Sequence, residues 1–208
     1  ATDPDGLVAF SDGERLRLLN TTAAPVIAFG QTIAPNTAAI LLDEVVTAAA
    51  FRPLDKDLFV ALGTRILRIR RNDGTALDWA GSTTAGNSGD DGSRVDAAFT
   101  AINQLAFTSA SVLVINDVSA GLIRAVNTVA GTRTLWGLSL PTDIMRLVRN
   151  VGTTVPQGLA VAPDDSLYAA DFANIYRIPV DRLPPTDPNH VAWIRVSGRG
   201  NINNVPTT

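Results

Sequence analysis

The sequence predicts an all-β chain organised as a β-propeller of four-stranded antiparallel blades, with about four blades in its 208 residues. Three observations carry that expectation: an internal repeat, an arginine at the same place in each repeat, and a glycine closing each one. The arginines stand at 17, 68, 124 and 177, spaced by 51, 56 and 53 residues. The glycines stand at 30, 81, 137 and 198, spaced by 51, 56 and 61. A unit of this size cannot hide its own apolar surface, so repeated units must stack on one another.

Taken in order, each repeat holds an apolar strand, a turn, an apolar-Arg-apolar strand, and a short strand ending in Gly. The first is the shortest, with strands over 6–10, 15–19 and 26–30. The second places them at 57–61, 65–69 and 76–81, the third at 112–117, 121–126 and 134–137, and the fourth at 166–171, 174–178 and 192–198. A further strand precedes the apolar pair, as in 101–107 and 156–161. This divides a single domain into blades at about 1–30, 31–81, 82–137 and 138–198. β-branched and aromatic residues dominate, and turn residues recur every 8–12 positions, which excludes a helical repeat. The segment 141–151 is the exception: Thr142 or Asp143 near its start and Ile-Met-Arg-Leu-Val-Arg after it predict one or two helical turns. The proline-rich stretch 181–190 reads as a loop.

Composition narrows the function classes. The chain is 46% hydrophobic and carries a net charge of -3, and its arginines are scattered, so nucleic acid is not an expected partner. It has no cysteine, which excludes disulfides, thiolate metal sites and a cysteine nucleophile. No stretch reaches the roughly 18 apolar residues of a membrane-spanning helix. One lysine, Lys56, stands against 16 arginines amid abundant Ala and Thr, a bias that fits an extracellular or periplasmic protein. Ala1–Gly6 shows no signal-peptide pattern.

The stretch Gly81 to Gly92, with Gly89-Asp90-Asp91-Gly92, followed by Ala97-Ala98-Phe99 and Leu105-Ala106-Phe107, resembles the NHL-repeat propeller family. So does Pro156-Gln157-Gly158-Leu159-Ala160-Val161 followed by Leu167-Tyr168-Ala169-Ala170-Asp171. Asp91 stands where the family pattern has glycine. The resemblance covers nearly the whole chain and implies a fold, not an activity. Propellers of that family usually close with six blades, so either these blades close as a small ring or the remaining blades lie in further sequence or in a partner chain, and the second reading is preferred. Ala1–Gly6 reads as the turn after a first strand, and Gly200–Pro206 as the lead-in to another.

Within a blade of this design, the turn between strands two and three shares a rim with the connection to the next blade. That puts Asp90 and Asp91 beside Asn116, Asp117, Asp171 and Asn174 at the channel mouth, where oxygen ligands could take Ca²⁺. The competing reading, that these residues cap turns and no cofactor is bound, is preferred. His190 is the only histidine, and no catalytic motif accompanies it. Trp79, Trp136 and Trp193 recur at the fourth-strand position and read as packing between blades. The expected function is a non-catalytic binding or assembly module that engages a protein partner or itself. Because some propellers of related shape are lyases or metal-dependent hydrolases, the runner-up is an enzyme with a metal at the channel mouth. A ligand-sensing receptor domain is a third reading.

Overall fold

The computed structural model describes residues 1–150, 157–181 and 194–198. Its strands pair antiparallel in six sheets, one for each of four blades arranged in an arc and two that are separate two-stranded hairpins. Blade 1 contains β1 (Leu7–Ser11), β2 (Leu16–Asn20) and β5 (Ala38–Leu42), with a hairpin of β3 (Val26–Ala28) and β4 (Gln31–Ile33) inserted before β5. Blade 2 is β6 (Ala48–Phe51), β7 (Leu58–Leu62), β8 (Arg65–Ile69) and β9 (Ala76–Gly81). Blade 3 is β10 (Ile102–Phe107), β11 (Val112–Asp117), β12 (Leu122–Asn127) and β15 (Met145–Asn150), with the hairpin β13 (Thr132–Leu135) and β14 (Leu138–Pro141) inserted. Blade 4 is β16 (Gly158–Val161), β17 (Leu167–Ala170), β18 (Asn174–Ile178) and β19 (Ile194–Gly198).

The four-bladed all-β architecture is as expected, and the four repeated arginines hold equivalent positions, on the third strands β8, β12 and β18 and on β2, the middle strand of the three-stranded sheet of blade 1. Two details differ. The helical expectation for 141–151 is overturned: Pro141 ends β14, and 145–150 is a strand paired with β12. Met, Arg and Leu are good helix formers, but the pairing to a fully buried neighbour outweighs so small a preference; Val151 lies outside the described residues. The blade boundaries at 30 and 137 also move. Gly30 and Gly137 do not close fourth strands; they occupy two-residue hairpin turns with Phe29 and Trp136, all four at positive φ. A turn with both central residues left-handed matches the twist of its flanking strands, and this is where glycine is needed. Gly81 and Gly198 end fourth strands as expected.

These hairpins reveal a second, longer period. Arg17 and Arg124, Asn20 and Asn127, Phe29 and Trp136, and Asn36 and Asp143 all stand 107 apart. The buried Asn20 amide donates to Ala24 and Ile33 carbonyls at 2.8 and 3.0 Å, and the buried Asn127 amide to Gly131 and Leu140 at 2.8 and 3.2 Å. Blades 2 and 4 correspond at 109, as Asp55 and Asp164 or Arg68 and Arg177 show. The chain is therefore two copies of a two-blade unit. Within each unit the hairpin of the first blade clasps the second: the Phe29 N–H donates to Arg71 O at 2.6 Å, and the Trp136 N–H to Val180 O at 2.9 Å.

Three apolar clusters lie between successive blades. Leu7, Leu18, Leu58 and Ile69 join blades 1 and 2. Phe59, Ile66, Trp79, Phe99 and Ile115 join blades 2 and 3. Val114, Ala125, Trp136 and Leu167 join blades 3 and 4. Each sheet hides both faces only where it has a neighbour on both sides, and this burial supplies the main stabilising free energy. Edge-on aromatic contacts reinforce the middle joint, with Phe59 4.9 Å from Trp79 and 5.0 Å from Phe107 between ring centres. Among the described residues no apolar cluster joins blade 4 to blade 1.

Candidate functional site

The rim residues are positioned by the connection over 82–101, which crosses from blade 2 to blade 3. Glycine at 89 allows the chain to press against Ala97, since a Cβ there would lie 2.5 Å from the Ala97 Cα. The loop returns to the sheet through the Asp91 N–H, which donates to Met145 O at 2.8 Å. Its centre is Arg124, whose side chain is completely buried. The Arg124 guanidinium donates to Ala98 O and Asn87 O, each at 2.7 Å, and stands 5.3 Å over the Phe99 ring.

Two of the expected carboxylates converge on that guanidinium. Asp90 Oδ1 is 3.0 Å from Arg124 Nε, a charge contact lying off the N–H axis, and Asp117 Oδ2 is 3.8 Å from Nη1. Asp117 is fully buried and also accepts from the Thr100 and Ala101 N–H groups and from Thr100 Oγ1, at 2.5–3.1 Å. Burial pushes the Asp90 carboxyl above its ordinary value against the pull of Arg124, and Asp91 and Asp117 add to the rise. A permanent cation thus neutralises the pocket where carboxylates gather.

The other rim residues are distributed differently. Asn116 is buried within β11. Asp91 points to solvent and pairs with Arg146. Asp171 caps its own turn, accepting from the Ala173 and Asn174 N–H groups at 2.8 and 2.7 Å and from the Tyr176 hydroxyl at 3.2 Å. The structure therefore brings Asp90 and Asp117 together around Arg124, while Asp171 and Asn174 form a separate turn in blade 4. Among the described residues no group of three or more His, Asp or Glu side chains is arranged to hold a metal ion. His190 and Trp193 lie outside the described residues. Trp79 packs between blades 2 and 3 beneath Arg94, 4.8 Å away, whereas Trp136 sits in the hairpin turn with its indole N–H donating to Asp165 O at 2.9 Å.

The opposite rim holds an ionic cluster that the sequence reading did not anticipate. Buried Asp57 accepts from Arg68 Nε at 2.6 Å and from the Arg71 N–H at 2.8 Å, and Arg52 reaches Asp55 at 2.8 Å and Thr128 O of blade 3 at 3.3 Å. Arg71 continues to Asp3 and Asp5, and Lys56 to Asp5 at 2.6 Å. The only sequence signal is the close spacing of Asp55-Lys56-Asp57 with Arg68 and Arg71. Its arrangement is balanced in charge and cross-links three blades.

The ends of the arc complete the surface. Ile66 and Trp79 of blade 2 are 0% and 6% exposed, while Ile175 and Val196, which hold the same register in blade 4, are 43% and 49% exposed. At the other end Phe10 is 37% exposed, where its counterpart Ile115 is fully buried. Contiguous apolar residues left open in this way mark surfaces suited to protein contact.

No protein-family model matches the sequence, and no curated protein matches it. Among solved structures, that of a streptogramin B lyase is similar, with a TM-score of 0.50 and 12% identity over 89% of this chain and 68% of that one. A symmetrical protein described in a study of de novo evolutionary emergence under folding constraints has a TM-score of 0.48 and 13% identity, over 92% of this chain and 73% of that one. At such identities the likeness to the lyase concerns the fold alone, and it is that of a propeller.

Proposed function

We propose that this chain is a non-catalytic, NHL-like propeller module that docks protein through the open faces of its arc and serves in assembly. The observation that carries this reading is the outer face of blade 4. Its residues hold the register that blade 2 uses to bury Ile66 and Trp79 against blade 3, yet Ile175 and Val196 meet water. The rim supports the same reading. Arg124 is committed to two carbonyls and two carboxylates, and Asp171 to its own turn, so these groups serve the architecture.

Light scattering on the purified chain during size-exclusion chromatography tests the proposal. A docking module gives a mass above the 21.9 kDa of one chain, rising with concentration, and Ile175→Asp with Val196→Asp returns it to that value. A compact species of one-chain mass at every concentration would refute the reading.

A further inference from the structure

We propose that the outer face of blade 4 in one copy docks on the outer face of blade 1 in the next, head to tail. This would repeat between chains the joint that blades 2 and 3 form within one. The inference rests on the reading of the chain as an assembly module and names its partner: a second copy.

The two-blade period supplies the argument. Blade 4 corresponds to blade 2, so its outer face presents Tyr168, Ala170, Ile175 and Val196 where blade 2 presents Phe59, Ala61, Ile66 and Trp79. Those four blade-2 residues are 0–6% exposed because blade 3 covers them. Blade 1 corresponds to blade 3, so its outer face presents Val8, Phe10, Leu19 and Ala38 where blade 3 presents Leu113, Ile115, Val126 and Met145. The blade-3 residues are completely buried against blade 2. The chain thus carries one joint made and the two halves of the same joint unmade.

Backbone geometry matches as well. The ladder beyond the arginine strand shifts register at matching places in corresponding blades: directly before the arginine in blades 1 and 3, between Leu16 and Arg17 and between Ile123 and Arg124, and one residue earlier in blades 2 and 4, between Ile66 and Leu67 and between Ile175 and Tyr176. A shared bulge gives the sheets a shared twist, so the faces that meet in the middle joint and those at the ends have like curvature. Side-chain size is exchanged across the joint: Trp79 becomes Val196 on one side, and Ile115 becomes Phe10 on the other. The internal joints pair unlike faces, so the contact is heterologous, which builds a ring or a chain of copies.

Two variants of the full chain test this. One alters the head (Phe10→Asp with Ala38→Asp) and one the tail (Ile175→Asp with Val196→Asp). All four positions are at least one-third exposed or on the open surface, and far-UV circular dichroism checks folding. The tail variant is repeated as Ile175→Thr with Val196→Thr, which keeps strand propensity. Head-to-tail docking predicts association of the wild type, and weakening of each variant alone by about 100-fold or more in Kd, since a buried unpaired carboxylate is costly. An equimolar mixture of the two then gives a species of two chains that grows no further, because each supplies the intact half the other lacks. A mixture that stays monomeric, or either variant associating alone as the wild type does, overturns the head-to-tail arrangement. In the second case the docking reading stands. A wild type that is monomeric throughout overturns both.

Discussion

Replacing Arg124 by Met separates a buried ionic centre from its exposed counterpart in the same repeat. Arg124 and Arg17 occupy equivalent third-strand positions, but the Arg124 side chain is 0% exposed and that of Arg17 is 29% exposed. Methionine keeps much of the length and removes the charge and the donors. The carbonyls of Ala98 and Asn87 then lose their 2.7 Å donors, and Asp90 and Asp117 lose the cation between them. Asp117 keeps its four donor contacts from Thr100 and Ala101, and Asp90 is one-quarter exposed, so neither carboxylate is fully stranded. Breaking such a pair from one side costs about 3–5 kcal/mol. For a chain of this size, each kcal/mol lowers the melting midpoint by about 2–4 °C, so a fall of at least about 6 °C is expected. Arg17→Met, whose pair with Asp12 is screened by water, leaves the midpoint near that of the wild type. Thermal and urea unfolding, each followed by tryptophan fluorescence, give the midpoint and the free energy for both variants. Equal effects for the two variants, or a change below about 1 kcal/mol for Arg124→Met, would show that the buried guanidinium is not holding the loop to blade 3.

The remaining expectations concern the hairpin clasp and the response to acid. Gly30→Ala places a Cβ 2.6 Å from the Asp73 carbonyl at φ +71°, so it should destabilise by about 2 kcal/mol or more, whereas Gly13→Ala, which meets nothing within 4 Å but shares a positive φ, costs only the backbone strain of about 1 kcal/mol; thermal unfolding ranks the two, and equal losses would remove the clasp from the account. Asp12 is held at about 2, below its ordinary 3.8, by the Arg17 hydrogen bond and the Glu14 and Arg15 N–H groups. A depressed carboxyl contributes stability that is present above its unfolded pKa and lost as pH falls through the folded value. Stability should therefore decline between about pH 4 and pH 2, and less steeply in Asp12→Asn. Asp90, raised by burial, has the opposite sign: its contribution favours the fold below pH 3.8 and is lost as pH rises through its raised value, so Asp90→Asn should steepen the acid decline.

The blade repeat was legible because the apolar-Arg-apolar strand recurs in every blade and its neighbours are compelled to be strands by burial on both faces. Arg17, Arg68, Arg124 and Arg177 mark that strand whatever else changes. The closing glycines were less informative. A glycine that ends a fourth strand, such as Gly81, and one that turns a hairpin, such as Gly30, both follow an aromatic or apolar pair and both take positive φ. Only the recurrence of Asn20 with Phe29-Gly30 as Asn127 with Trp136-Gly137 tells them apart, and that signal appears at 107 residues rather than at the single-blade spacing. The rim was half legible. Sequence placed Asp90 and Asp117 on one edge, but it could not show that Arg124 fills the space between them, because the arginine lies on the neighbouring strand and looks like its three counterparts. The cluster around Asp57 was hidden for the same reason: its members come from three blades, and no local spacing links Asp3 or Asp5 to Arg71.

The two-blade period also explains why one joint differs from the others. Blades 1 and 2 are clasped by the hairpin at Phe29, and blades 3 and 4 by the hairpin at Trp136, each through a backbone hydrogen bond to the following blade. The joint between blades 2 and 3 lies between two such units and has no hairpin; it is closed by the 82–101 connection, with Arg124 neutralising its carboxylates and Arg94 bridging Trp79 to Asp143. Its sheet faces must therefore fit by shape and apolarity, and the connection adds the tether. A tether raises the effective concentration of one face at the other without changing their complementarity. The faces at the two ends of the arc have the same residue classes in the same register but no connection in the described structure. They should thus meet more weakly than blades 2 and 3 do, because they lack the tether and the Arg94 and Arg124 contacts that come with it.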